Sequence, residues 1–287
     1  MTTVVLGAFD PEMDMIEQVA WGAGFKTLHA AVGGRAVTYG DANRADGVVS
    51  GLVPTRGRLI LVECRLPTPP RLEILVCDHH RPGDPGYGQP PAKFLEASSL
   101  GQFLSIVHGP LARQGDAWYA GEVRVTDEQV LVAAADHCLR SAYAGACPTV
   151  DPHELMRYRL RTKARKLMIS QNTLAADIAE TAKRLYSLPE IDFGDAGTVR
   201  WADYAIPHLP EASAISGIPV ASVLTGTKTR KNNKVVFFGT PDQVRVFRAR
   251  MKDFLVRPYG DPERGMAGGY LQTMKLKHVL LRKLRGK

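Results

Sequence analysis

The sequence predicts an α/β fold: a parallel-sheet N-terminal domain, a helical connector and a smaller α/β C-terminal domain. Three observations predict it. In the first half, apolar runs too short for helices alternate with helical patterns, as βαβ units do. From Glu154 to about Tyr186 the chain is polar and helical in pattern, with no Gly or Pro, and reads as a bridge. After Pro189 the texture changes to strand and turn. These observations place the domains at 1–186 and 198–287, with a boundary near 187–197.

Each element follows from local chemistry. TTVVLGAF is a buried strand that ends at the acidic turn Asp10-Pro11-Glu12-Met13-Asp14, and Met15, Val19 and Phe25 mark the helix after it. Leu59–Glu63 and Leu72–Cys77 are apolar runs of strand length, each finishing on a polar cluster. Residues 81–91 carry too many Pro and Gly to be anything but loop, and a helix follows from about Leu100 to Val107. Thr126-Asp127-Glu128-Gln129 has the form of a capping box and introduces an alanine-rich helix from Val130 to Tyr143. Strands are expected over Thr198–Ile206, Pro219–Thr225 and Val235–Phe238. Thr240-Pro241-Asp242 starts a helix with a hydroxyl cap and Pro at the first position. A glycine-rich segment, 259–269, precedes a basic terminal helix.

Composition narrows the function classes. Of 287 residues, 45% are hydrophobic and 23% charged, so a packed core forms and wholesale disorder is excluded. Lys and Arg exceed Asp and Glu to give a net charge of +8, which favours anionic partners. No long uncharged apolar stretch occurs and no basic region precedes an apolar one at the N-terminus, so a cytoplasmic chain without a membrane span or signal peptide is expected. Cys64, Cys77, Cys138 and Cys147 are too irregularly spaced for a disulfide framework or a Cys-x-x-Cys zinc site, which fits a reducing compartment.

The chemistry-bearing residues gather at strand ends. Asp78-His79-His80 directly follows the strand ending at Cys77, and aspartate with imidazole suits divalent-metal binding and phosphate contact. Glu12 and Asp14 follow the first strand, Glu63 ends the strand before the triplet, and Asp136 lies further on beside His137. A parallel sheet delivers its strand ends to one edge. Oxygen donors with few thiols favour Mn²⁺ or Mg²⁺ over structural zinc.

In order and content these residues resemble the DHH phosphoesterase superfamily, which includes oligoribonucleases, cyclic dinucleotide phosphodiesterases, single-strand exonucleases and family II inorganic pyrophosphatases. Ala8-Phe9-Asp10-Pro11-Glu12-Met13-Asp14 is similar to the family's first motif, His-x-Asn-Pro-Asp-x-Asp, with Glu12 and Asp14 in the acidic places. Glu63 fills the second motif, Asp78-His79-His80 matches the third and most specific, and Asp136 is similar to the fourth acid. Arg264-Gly265-Met266-Ala267-Gly268-Gly269 answers the family's final Gly-Gly-Gly-His without its histidine. The resemblance implies a DHH-like metal and phosphate domain, a smaller substrate-binding domain, and hydrolysis of a phosphodiester or phosphoanhydride in a nucleotide or short single-stranded nucleic acid. It implies Mn²⁺ or Mg²⁺ held by Glu12, Asp14, Glu63, Asp78 and Asp136. His79 or His80 would contact the phosphate or protonate the leaving oxygen, and Arg264, Gly268 and Gly269 would cradle the far end of the substrate. Ala8 stands where the family has a histidine ligand, so the alternative is a catalytically inactive relative that binds a nucleotide or nucleic acid in the same cleft. His137 and His29 are the candidates to replace the missing imidazole. A homodimer stays open.

Local alternatives accompany several of these residues. Asp136 lies four residues before Arg140 on the expected helix, a favourable spacing for a surface ion pair. Ser98 and Ser99 suit a helix cap as well as a phosphate. Basic clusters over 157–166 (Arg157, Arg159, Arg161, Lys163, Arg165, Lys166), on a hairpin (Lys228, Arg230, Lys231, Lys234) and along 275–287 read first as solvated faces and second as a track for a phosphate backbone.

Overall fold

The structure, a computed structural model, describes residues 2–224 and 234–271. It is mixed α/β, and the chain divides into two compact units: Met1–Gln89 with Lys93–His137, and Pro90–Ala92 with Cys138–Lys287. The division falls after His137, so the helices read from sequence as a connector belong to the second unit. Lys228, Arg230, Lys231 and the expected basic terminal helix lie outside the described residues. Among the described residues no helix is long and apolar enough to cross a membrane.

The first unit is built on β1 (Thr2–Leu6), α1 (Pro11–Gly22), β2 (Lys26–Val32), β3 (Arg35–Ala36), β4 (Gly47–Val48), β5 (Gly57–Val62) and β6 (Leu72–Cys77). Then come α2 (Phe94–Ala97), α3 (Ser99–His108), a small meander of β7 (Leu111–Gln114), β8 (Ala117–Ala120) and β9 (Val123–Arg124), and α4 (Asp127–His137). The sheet runs β3-β2-β1-β5-β6, with β2, β1, β5 and β6 parallel and β4 added against β2. Val4 to Leu6 and Leu59 to Val62 are buried without alternation, as strands covered on both faces require. The helix marked by Met15 and Val19 closes at Gly22, and Phe25 leads instead into β2, a strand the periodicity did not separate. The register aligns His29, Leu6, Val62 and Cys77 as one row across the four parallel strands, so the segments carrying Glu12, Glu63 and His79 all leave from the same edge.

The second unit comprises α5 (Leu139–Tyr143), α6 (Pro152–Leu167), α7 (Gln171–Leu185), β10 (Glu190–Asp192), β11 (Thr198–Ala202), α8 (Leu209–Ser216), β12 (Val220–Leu224), β13 (Lys234–Phe238), α9 (Pro241–Met251), β14 (Leu255–Asp261) and β15 (Met266–Leu271). Its sheet has the order β10-β11-β12-β13-β15-β14, with only β11 and β12 parallel. Phe193, Phe237 and Phe247 stack through its core. The helix expected from Glu154 to Tyr186 is two helices. Met168 takes the left-handed conformation at φ 55°, and Ser170 caps α7 by accepting from the Thr173 N–H at 3.0 Å. Thr240 and Gln243 form the expected reciprocal capping box of α9.

A carboxylate and histidine cluster at the edge of the parallel sheet

The first site segment is set by Asp10. Its extended backbone and its Oδ1, which accepts from the Met13 N–H at 2.8 Å, start α1 at Pro11. Residues two apart on a helix point about 200° apart, so the side chains of Glu12 and Asp14 diverge: Glu12 is buried and Asp14 is exposed. Asp14 is therefore not brought into the cluster that Glu12 joins.

Glu63 leaves β5 with φ 49°, a left-handed conformation that is costly for a residue with a Cβ and is typical of functional positions. A close backbone crossing accompanies it, because a Cβ on Gly7 would lie 2.8 Å from the Glu63 carbonyl oxygen. The Glu63 carboxylate accepts from Ser99 Oγ at 2.8 Å, while Ser98 caps α3 through the Gly101 N–H at 3.0 Å. The two serines thus divide the roles that either suited: one caps, the other holds an acid.

The triplet after β6 separates by residue. Asp78 turns its Oδ1 to the His79 and His80 N–H groups and to His80 Nδ1 at 2.9 Å, and its Oδ2 to Arg65 Nη1 at 3.2 Å. It lies outside the two groups of side chains whose ligand atoms converge within 4.8 Å, and its oxygens are engaged by these donors. His79, expected at the phosphate, is fully buried, with Nε2 2.9 Å from Asp136 Oδ2 and 3.3 Å from Glu63 Oε1. Its Nδ1 lies 3.0 Å from Nδ1 of His137, whose Nε2 is 3.3 Å from the Gln89 carbonyl oxygen. His80 keeps 29% of its side chain exposed. Asp136 does not sit mid-helix before Arg140, since α4 ends at His137 and α5 begins at Leu139.

Two overlapping groups result. Glu12, Glu63, His79 and Asp136 place four ligand atoms within 4.8 Å of one another, and Glu63, His79 and His80 form the other group. Electrostatics mark the same place. Burial, then Asp136, Glu63 and Asp10, push the Glu12 carboxyl well above its ordinary range, and burial with Glu63 and Asp136 does the same to Asp10. Burial also acts to raise Glu63, but His80 and His79 outweigh it and hold that carboxyl below its ordinary 4.5. Asp78 is held low against its burial by His80, His79 and Arg65. Glu12 Oε1 accepts from the Leu100 N–H at 2.9 Å, but Oε2 is buried with no hydrogen-bond partner among the described residues. An orphaned carboxylate oxygen facing other carboxylates fits a bound cation, which would satisfy it and release the protons that burial and crowding retain.

Sequence reasoning named Asp10 only as part of a turn, although the Asp-Pro pair is itself a helix-start signal. His29, a candidate replacement ligand, instead pairs with Glu17 at 3.2 Å, and His137 is the one that reaches the cluster's edge through His79. Arg264, Gly268 and Gly269 lie in the second unit. Arg264 is in the turn between β14 and β15, where its N–H donates to Asp261 at 3.0 Å. Gly268 and Gly269 pair in β15 with Val236 and Val235. A Cβ on Gly268 would meet the Tyr259 hydroxyl at 2.2 Å, so this glycine admits a packed tyrosine. The glycine-rich stretch is thus largely strand, with a turn at its centre. No family model matches this chain, and no curated protein matches it.

Proposed function

We propose that the chain is a metal-dependent phosphoesterase, hydrolysing a phosphodiester or phosphoanhydride in a nucleotide or short oligonucleotide. The observation that carries this reading is the convergence of Glu12, Glu63, His79 and Asp136 within 4.8 Å at the parallel-sheet edge. The DHH-like order of the motifs supports it. Three carboxylates are hard donors suited to Mn²⁺ or Mg²⁺, and the borderline imidazole beside them favours Mn²⁺ of the two. A divalent cation held there supplies neutralisation of phosphoryl charge and a more acidic water. The protein's own contributions are separate. Ser99 orients Glu63, the Leu100 N–H orients Glu12, and His137 orients His79. In this reading His80, partly exposed and fixed through Nδ1 by Asp78, contacts the phosphate or gives a proton to the leaving oxygen.

A Mn²⁺-supplemented panel of dinucleotides, cyclic dinucleotides, single strands and pyrophosphate tests this, run beside Asp136→Asn. Turnover by the wild type, with a loss of at least about 10² in the variant, is expected. Equal inertness of both across the panel overturns the enzyme reading. One observation favours the inactive alternative: Ala8, at the place of the family's histidine ligand, is buried and offers no donor. Nucleotide binding without turnover in the same panel selects it.

A further inference from the structure

Exposed aromatic rings usually hang loosely from a surface, but two near the cluster are held in place. Phe9 is 52% exposed, yet its ring stacks on His29 with centroids 4.5 Å apart and planes at 27°. Its carbonyl oxygen accepts from the hydroxyl of Tyr39, itself 66% exposed, at 3.3 Å. The backing imidazole is fixed in turn, since Glu17 Oε1 lies 3.2 Å from His29 Nε2 and also accepts from Thr27 Oγ1 at 2.9 Å. Trp21 Nε1 donates to that same Thr27 oxygen at 3.0 Å. A partly exposed ring with a rigid backing is preorganised to receive a flat partner at little entropic cost.

Its place in the fold specifies the rest of that partner. Phe9 directly precedes Asp10, which starts the helix carrying Glu12. His29 and Val62 belong to one register row, two strands apart, and Glu63 follows Val62. At a strand spacing of about 4.8 Å, the column of His29 and Phe9 stands roughly 10 Å from that of Glu63. A phosphate ester of a sugar that carries an aromatic heterocycle bridges such a gap, with its anionic end at the carboxylate–histidine cluster and its ring on Phe9.

We propose that Phe9, backed by His29 and flanked by Tyr39, is a stacking platform for the base of a nucleotide whose phosphate engages the cluster. The proposal rests on the phosphoesterase reading and adds a second subsite to it. Because Phe9 presents only a π-face, and the Tyr39 hydroxyl is engaged with the Phe9 carbonyl, the platform takes purines and pyrimidines alike.

The test uses the full chain with Mn²⁺ and a dinucleotide that carries 2-aminopurine, with the bridging oxygen replaced by methylene to prevent cleavage. Stacking quenches this fluorophore. Pyrophosphate, which has no base, serves as competitor for the cluster. The wild type is expected to quench the probe. Phe9→Ala should weaken probe binding about tenfold and abolish quenching, with pyrophosphate competition unchanged, and Phe9→Trp should restore both. Probe binding and quenching that are equal in wild type and Phe9→Ala overturn the platform and leave the phosphoesterase reading standing. Loss of probe and pyrophosphate binding together in Phe9→Ala also overturns it, because Phe9 would then merely support the turn. Failure of the wild type to bind either probe overturns the platform together with the reading beneath it.

Discussion

A buried imidazole among carboxylates is useful to a cation only if its proton sits on the far side. The Gln89 carbonyl can only accept, which assigns the proton of His137 to Nε2 and leaves its Nδ1 as an acceptor. His79 then donates from Nδ1, and the proton on its Nε2, which faces Glu63 and Asp136, is the one a cation would displace. Loss of that proton would leave a lone pair against carboxylates, repulsive until a positive charge lies between them, so a chain of two histidines and one carbonyl would present His79 as a ligand to a cation bound at the cluster. Without that chain the ring is free to rotate or take the other tautomer. His137→Ala should therefore weaken Mn²⁺ binding by about 10–100-fold while all four cluster residues remain. Titration calorimetry checks it, and an unchanged affinity would remove His137 from the site. The same reasoning explains why residue identity alone does not tell which strand-end acids converge. Asp78 and Glu63 are both strand-end acids in the sequence, but Asp78 is occupied by two backbone N–H groups, His80 and Arg65, whereas Glu63 is turned inward by its left-handed backbone.

Between elements, the second unit depends on a buried charge cluster rather than on apolar packing alone. Glu211, fully buried on α8, accepts from Arg159 Nε at 3.0 Å and Lys163 Nζ at 2.6 Å, both from α6. The basic run read as a solvated face thus splits, with Arg159 and Lys163 turned inward and Arg157, Arg161, Arg165 and Lys166 exposed. Removing the acid leaves two cations without compensation, so Glu211→Leu should cost about 3–5 kcal/mol in urea unfolding. Burial raises the Glu211 carboxyl, but Arg159 and then Lys163 outweigh it and hold it below its ordinary 4.5. A depressed carboxyl stabilises the fold fully above about pH 4.5, and that contribution is lost as pH falls through the lower folded value. The urea midpoint of the wild type should accordingly fall more steeply below that pH than that of Glu211→Leu. Much of this architecture is legible beforehand: β1, β5, β6, α3 and α9 follow from apolar runs and caps close to where they form. The break at Met168 was hidden because no Gly or Pro marks it, only a serine cap. β2 was hidden because Phe25 continues the helical spacing past the end of α1. The pairing of α6 with Glu211 spans too many residues for any local pattern to carry it.

For the whole molecule, the two units offer a direct test of where a cation acts, because the three tryptophans are divided between them. Trp21 and Trp118 belong to the first unit and Trp201 to the second. The four converging ligand atoms all lie in the first unit, and the acids Glu12 and Asp10 are raised by burial and then by neighbouring carboxylates, so the folded first unit without a cation carries electrostatic cost. A ligand that binds only the folded form stabilises it by about 2.7 kcal/mol when present at 100 times its Kd. Mn²⁺ at that excess should raise the thermal midpoint reported by Trp21 and Trp118 in a Trp201→Phe variant by several degrees. The midpoint reported by Trp201, in a variant with both other tryptophans replaced by phenylalanine, should move less where the units melt separately and equally where they melt as one. Magnesium should act in the same direction, and Asp136→Asn should remove most of the shift. Absence of any shift from Trp21 and Trp118 at saturating Mn²⁺ would show that the folded cluster does not take up the ion, since a site completed by the cation cannot bind it without gaining stability.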